Sequence, residues 1–323
     1  MQEKTKSDVL VLMCRGNSPS DCEIGEILKQ QKIRVKNFIP LRLPCSGRVP
    51  TEFIFKVLKS GIKNVLSIQC EDAFCRYKEG TRISTRRLAL GKAVLQQFGL
   101  SKDALKVVKH SRKVVYDTDK CVGCDKCVFI CPYGAIEAEP FATPKILGEY
   151  CVGCGACALV CPHHAIQVEG FAFEDMLKRY AEAAQSLKAQ GKSLAILVLS
   201  CQWAEFPALD NPALFEKRAT VMEVPCFKAL DPAQVVGALR NGFDGVMAVV
   251  CAPEDCKLQE GKETAERNMA VLKDALRKMN LIDRFELFIA SPRCVGDFNQ
   301  KLAEFIKKVA SLPPAEMKVV QHV

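Results

Sequence analysis

Two cysteine quartets stand in the middle of the chain, each followed by a proline: Cys121, Cys124, Cys127 and Cys131 before Pro132, and Cys151, Cys154, Cys157 and Cys161 before Pro162. A C-x2-C-x2-C-x3-C-P run presents three thiolates to one cubane, while its fourth cysteine reaches the neighbouring cluster. Two such runs predict two [4Fe-4S] clusters with exchanged fourth ligands. The first would take Cys121, Cys124, Cys127 and Cys161, and the second Cys131, Cys151, Cys154 and Cys157. The chemistry is one-electron transfer. A zinc ribbon would instead need two separated C-x2-C pairs closing one tetrahedral site. Gly123, Gly153 and Gly155 lie in the loops, where the missing Cβ lets the backbone bend sharply and bring N–H groups toward sulfur.

Other cysteines follow a second rule. A shift of 181 positions lays Pro44-Cys45 on Pro225-Cys226. The same shift lays Gly61, Val65, Cys70, Cys75, Glu79, Gly80 and Arg86 on Gly242, Val246, Cys251, Cys256, Glu260, Gly261 and Arg267. Fixed spacing of chemically special residues marks an internal duplication.

The elements that position these residues alternate. Each copy opens on a short apolar run, 9–13 before Cys14 and 194–199 before Cys201, read as a buried strand ending at a cysteine. Second strands are expected at 42–44 and 221–225, and third strands at 64–69 and 245–250. Helices over 51–59 and 232–240 are closed by Gly61 and Gly242. Alternating strand and helix argues a parallel sheet with helices on both faces, whose loops gather in a crevice beyond the strands' C-terminal ends. That crevice would collect Cys14, Cys45, Cys70 and Cys75 in the first copy, and Cys201, Cys226, Cys251 and Cys256 in the second. Four thiols there suit one [2Fe-2S] cluster or one zinc ion, and spacing does not separate the two. Cys22 and Cys294, in a late loop at 291–296, have no counterpart in the other copy and read as structural.

The expected fold class is α/β. Two small parallel-sheet, flavodoxin-like α/β domains, 1–112 and 193–323, flank a ferredoxin-like α+β domain with two [4Fe-4S] clusters at 113–170. A linker helix within 171–192 spaces Phe173, Met176, Leu177, Tyr180, Ala184 and Leu187 along one face, suited to packing the core against the second α/β domain.

Composition fits a reducing compartment. Eighteen cysteines in 323 residues are not the disulfide density of a short secreted chain, and the polar start at 1–8 is no signal peptide. The longest apolar runs are strand-sized, so no transmembrane segment is expected and the chain reads as cytoplasmic. Residues 1–115 hold 23 Lys and Arg against 10 Asp and Glu, a basic front third. With five Tyr and one Trp in the chain there is no aromatic interleaving for base stacking, so an acidic protein partner is expected and no nucleic acid.

The C-x4-C after a strand, Pro44-Cys45-Ser46-Gly47-Arg48-Val49 and the Cys201-Gln202-Trp203 opening resemble the delta, iron-sulfur subunit of methyl-viologen-reducing hydrogenases. The resemblance covers roughly 8–100 and 194–290, and the middle is similar to two-cluster ferredoxins. It implies one or two [2Fe-2S] clusters in the outer domains. It also implies electron transfer between a hydrogenase, formate dehydrogenase or NADH-oxidising module and a heterodisulfide-reductase-like flavoprotein. The family opens with C-x2-C, and Asn17 and Ala204 stand at the second position here.

No Gly-x-Gly-x-x-Gly follows a strand, so no Rossmann nucleotide site is expected. Gln190-Gly191-Lys192-Ser193 lacks the first P-loop glycine, Ser186 standing there, and reads as a helix end at Gly191. His163 and His164 read as loop residues. The chain is thus expected to transfer electrons without substrate chemistry of its own. Two other readings stay open: C-x4-C pairs Cys70/Cys75 and Cys251/Cys256 cycling as dithiols fed by the ferredoxin core, or zinc-bearing docking domains around it.

Overall fold

Every residue of β1 (Val9–Cys14) is buried, as a central strand covered on both faces must be. It pairs in parallel with β2 (Phe38–Leu43) on one side and β3 (Asn64–Cys70) on the other, and β4 (Leu105–His110) completes the order β2-β1-β3-β4. The alternation of a strand sorts its side chains. Val9, Val11 and Met13 pack with Ile24, Ile27 and Leu28 of α1 (Asp21–Gln30). Leu10 and Leu12 pack with Ile54 of α2 (Thr51–Lys59) and with Leu88 and Leu95 of α3 (Gly80–Gln97).

The computed structural model describes residues 8–14, 19, 21–33, 35, 37–72, 75, 77–139, 142–189, 191, 194–201, 219–252, 256, 261–290 and 295–313. The chain divides into two units, 1–113 and 114–323, of which the parallel sheet above is the first.

The second unit begins with the ferredoxin-like core. Strands β5 (Val114–Tyr116) and β8 (Ile166–Val168) pair antiparallel, as do β6 (Ile136–Glu137) and β7 (Lys145–Ile146). Short helices α4 (Lys126–Ile130) and α5 (Ala156–Val160) carry the third cysteine of each run, Cys127 and Cys157, in their first turns. Then come α6 (Phe173–Ala189), β9 (Ile196–Cys201), β10 (Ala219–Val224), α7 (Pro232–Arg240), β11 (Gly245–Cys251), α8 (Gly261–Lys278), β12 (Phe285–Ala290) and α9 (Val295–Ala310). The second parallel sheet has the order β10-β9-β11-β12, the same as the first. β2, α2, β3 and α3 map onto β10, α7, β11 and α8 at the 181-residue shift. The opening strands break that register, because the connection from first to second strand is longer in the first copy.

The expected helices at 51–59 and 232–240 are present with those bounds. The second strand of the first copy is not at 42–44 but at Phe38–Leu43, and Pro44 lies outside it. Pro40 sits within this edge strand, where the missing donor costs no central ladder bond. In the second copy the opening strand is Ile196–Cys201, not 194–199, because Ala195 is taken up by Asp244: its N–H donates to Asp244 Oδ2 at 2.8 Å and its carbonyl accepts from Asp244 N–H at 2.7 Å. The late loop expected at 291–296 is cut short by α9, which starts at Val295. Cys22 lies within α1, while Cys294, Asn17, Ala204 and Trp203 fall outside the described residues.

Helix α6 buries Met176, Tyr180, Ala184 and Leu187. Its Leu177 presses on Gly237 of α7, where an added Cβ would lie 2.4 Å from Leu177 Cδ2. Gly191, at φ +72°, ends the helix turn with an N–H bond to Lys188. The Tyr180 hydroxyl is fully buried with no hydrogen-bond partner among the described residues. An unsatisfied buried hydroxyl costs about 1–3 kcal/mol. Tyr180→Phe is therefore expected to raise stability by about 1 kcal/mol, read as a higher urea midpoint at unchanged m-value. Among the described residues no helix is long and apolar enough to cross a membrane.

Candidate functional site

Each three-cysteine loop needs a residue in the left-handed region to turn into its helix. Asp125 takes φ 56° before α4, and Gly155 takes φ 84° before α5. Gly123 and Gly153 are also left-handed, at φ 65° and 61°. The turns enclose two hollows. Cys121, Cys124, Cys127 and Cys161 line one, and Cys131, Cys151, Cys154 and Cys157 line the other. Each fourth cysteine thus lies with the opposite loop.

Backbone N–H groups point at sulfur in both halves. Gly123 donates to Cys121 Sγ at 3.4 Å, Ala135 to Cys131 Sγ at 3.4 Å and Ala165 to Cys161 Sγ at 3.2 Å. Burial pushes the Cys154 thiol up to about 11 and raises Cys127 and Cys157 as well. Thiols held neutral by burial are released when a cation replaces the proton, which is how metal binding couples to such sites. The Tyr116 side chain lines the first hollow, its buried hydroxyl beside the Cys121 thiol. All-sulfur donor sets and inward N–H groups fit cubane clusters, whose sulfurs accept such bonds. Among the described residues no group of three or more His, Cys, Asp and Glu side chains is arranged to hold a single metal ion.

The parallel sheets build their sites differently. Cys14 ends β1 and Cys70 ends β3, the two strands at which the order of the sheet reverses, and Cys45 follows β2. This is the switch-point crevice of an open α/β sheet. Ser46 N–H donates to Cys14 Sγ at 3.2 Å, Gly47 N–H to Cys45 Sγ at 3.3 Å and Thr81 N–H to Cys75 Sγ at 3.4 Å. Cys45 and then Cys70 hydrogen-bond to Cys14, which holds it down to about 2 and raises the two donors.

A polar clamp fixes the end of β3. Thr81 Oγ1 donates to the Cys70 carbonyl at 3.1 Å, buried Gln69 donates to Ser84 Oγ at 2.9 Å, and Thr85 Oγ1 donates to Gln69 Oε1 at 3.0 Å. Gly80 sits hard against the sulfurs: an added Cβ would lie 2.5 Å from Cys45 Sγ and 3.3 Å from Cys75 Sγ. Gly80→Ala is expected to cost about 1–3 kcal/mol of overpacking. Urea melts check the loss.

In the second copy Cys201 ends β9, Cys251 ends β11 and Cys226 follows β10. Cys251 and Cys201 sulfurs are 3.5 Å apart. Cys201 and Cys226 share a hydrogen bond that lowers Cys226 and raises Cys201 well above its ordinary value. Cys256 is half-buried. The 3.5 Å bond from Lys228 N–H to Cys226 Sγ repeats that of Gly47 to Cys45.

The second site also meets the ferredoxin core. Cys154 and Ala156 share one buried apolar cluster with Cys226. Helix α5 packs on the turn Phe227–Ala229, and an added Cβ at Gly155 would lie 2.3 Å from Ala229 Cβ. At the opposite hollow Cys124 is exposed, beside Val122 and the 88% exposed Phe129. His163 lines that hollow, and His164 stacks on Phe173 at 5.1 Å.

Gly80, Tyr116 and Lys228 escape sequence reasoning as site residues. Gly80 and Lys228 could have been found by asking what neighbours each cysteine at the duplicated positions, and Tyr116 carries no such signal.

Residues 9–122 and 196–313 match the family described as methyl-viologen-reducing hydrogenase, delta subunit, and residues 101–168 match a 4Fe-4S dicluster domain. One subunit of the ferredoxin/F(420)H(2)-dependent CoB-CoM heterodisulfide reductase of Methanosarcina acetivorans is 30% identical over 203 residues, 61% of this chain and 25% of that protein. The corresponding subunit of the ferredoxin:CoB-CoM heterodisulfide reductase of Methanosarcina mazei is 29% identical over the same length. An iron-sulfur subunit of the F420-non-reducing hydrogenase of Archaeoglobus profundus is 36% identical over 124 residues, 37% of this chain and 90% of the relative. The chain spans about a quarter of the reductase subunits it matches. The middle of the chain is a [4Fe-4S] dicluster domain, and the chain is an iron-sulfur electron-transfer protein related to hydrogenase and heterodisulfide reductase subunits.

Proposed function

Because the chain belongs to the family of the methyl-viologen-reducing hydrogenase delta subunit, carrying that domain twice around a dicluster core, we propose that it relays electrons within an anaerobic, cytoplasmic oxidoreductase complex. The donor would be a hydrogenase, formate dehydrogenase or NADH-oxidising module, and the acceptor a heterodisulfide-reductase-like flavoprotein. Cys121, Cys124, Cys127 and Cys161 would hold one [4Fe-4S] cluster, and Cys131, Cys151, Cys154 and Cys157 the other. Cys201, Cys226, Cys251 and Cys256 would hold a [2Fe-2S] cluster, and Cys14, Cys45, Cys70 and Cys75 another. When bound, these groups supply one-electron chemistry, and the protein sets their potentials by ligands, hydrogen bonds and burial.

The observation that carries this reading is the shared apolar cluster of Cys154 and Cys226. Two donor sets built on different folds meet there in direct buried contact, as a relay requires. The exposed Cys124 rim supports an exchange port for a partner at the other end. The relatives' names support the classes of partner. The test is anaerobic reconstitution followed by metal and sulfide analysis and electron paramagnetic resonance. More than ~8 iron and ~8 sulfide per chain with a [2Fe-2S] signal is expected, since two cubanes account for only the first eight. Eight iron with no such signal sinks the relay, and so does copurification with none of the named partner classes.

A further inference from the structure

Lys228 is 1% exposed, an unusual place for a lysine, and it sits where two donor sets meet. It belongs to the turn Phe227–Ala229, capped by the Cys226 sulfur, which accepts from Lys228 N–H at 3.5 Å. The next residue, Ala229, stands against Gly155 in the loop that carries Cys154, and Cys154 and Cys226 share one buried cluster. The side chain is therefore held inside a contact with ligand candidates of two centres on either side.

The duplication provides an internal comparison. The equivalent position of the first copy is Gly47, whose N–H makes the same bond to Cys45 and which brings no charge. The backbone scaffold of the two copies is thus alike at this turn, and the cation is particular to the second.

We propose that Lys228 is a tuning residue shared by two centres: its buried charge raises the reduction potentials of both the Cys131/Cys151/Cys154/Cys157 cluster and the Cys201/Cys226/Cys251/Cys256 centre. A reduced cluster carries one more negative charge than its oxidised form, so a cation fixed nearby in a low-dielectric contact favours reduction. Lys228 lies within electrostatic reach of both Cys154 and Cys226. The Cys121/Cys124/Cys127/Cys161 hollow is not lined by this turn and should not respond.

The inference rests on the cluster assignment proposed above, and its test separates the two. Wild-type chain and the variants Lys228→Met, Lys228→Gln and Lys228→Arg are reconstituted anaerobically, their iron is counted, and each centre is titrated by electron paramagnetic resonance. Both neutral variants should keep wild-type iron. Their Cys131-set cluster and second-copy centre should show at least a tenfold higher oxidised-to-reduced ratio at a fixed poise, about 59 mV for a one-electron couple. The Cys121-set cluster should not move, and Lys228→Arg should match wild type. Unmoved potentials, an equal shift of every centre, or loss of iron from both neutral variants overturns the proposal, the last by making Lys228 structural. If wild type itself lacks a second-copy centre, the relay reading fails, while the Cys131-set cluster still reports on Lys228.

Discussion

A chain lacking both Cys121 and Cys124 keeps one cubane. Deleting Cys161 as well leaves that cubane intact, whereas deleting Cys131 degrades it. The expectation follows from the hollows: Cys161 lines the first with Cys121, Cys124 and Cys127, and Cys131 lines the second with Cys151, Cys154 and Cys157. Removing two of four ligands abolishes the first cluster under any pairing, so the remaining cubane signal belongs to one centre and the third deletion asks which fourth cysteine it uses. Iron should fall by ~4 per chain from the wild-type count in the Cys121→Ala/Cys124→Ala/Cys161→Ala variant and fall further in the variant that lacks Cys131 instead. The reverse result would assign each quartet its own cluster.

The grouping of Cys161 with the first loop and of Cys131 with the second was legible in the sequence because it is a rule of spacing, and spacing survives without coordinates. The helices at 51–59 and 232–240 were legible for a different reason. Each has an apolar stripe, a strand on either side and a glycine after it, Gly61 at φ 99° and Gly242 at φ 106°. Helix α3 was hidden. Its buried face reads Gly80, Thr81, Ser84, Leu88, Gly91 and Leu95, so four of the six residues on the stripe that a hydrophobic pattern seeks are small or polar. Thr81 and Ser84 brace the end of β3 at Cys70, and the site therefore erased the signal of the element that supports it. The edge strands were obscured differently. β2 and β4 are half-exposed along most of their length, whereas β1 and β3 are buried almost throughout.

The two copies share a scaffold and differ in what surrounds the sulfur. Gln69, Ser84 and Thr85 of the first copy are Val250, Ala265 and Glu266 in the second, and Gly47 is Lys228. The first site is thus braced by neutral hydrogen bonds, and the second by a buried cation and a contact with the ferredoxin core. On the proposed assignment, equivalent cysteines with different surroundings would give centres of different potential. A duplicated domain can in this way serve two positions of one relay.

The contact itself makes the second large prediction: Gly155→Ala should cost about 2–5 kcal/mol. Two penalties combine. At φ 84° an alanine enters the left-handed region, a penalty of about 1–2 kcal/mol. Its Cβ would also lie 2.3 Å from Ala229 Cβ and 3.0 Å from Val168 Cγ2, overpacking worth about 1–3 kcal/mol. The two parts separate in a double-mutant cycle with Ala229→Gly, which removes the nearest colliding atom but leaves the backbone strain. The double variant should recover roughly 1–2 kcal/mol relative to the sum of the singles, measured by urea denaturation of the reconstituted chain. Gly155→Ala alone should also weaken the magnetic interaction between the Cys131-set cluster and the second-copy centre, because relief of the clash moves the Cys226 turn away from α5. A cost below about 1 kcal/mol with unchanged relaxation of both signals would show that Gly155 and Ala229 are not in contact. Additive single effects would leave the strained backbone as the whole penalty and remove the packing argument for the junction.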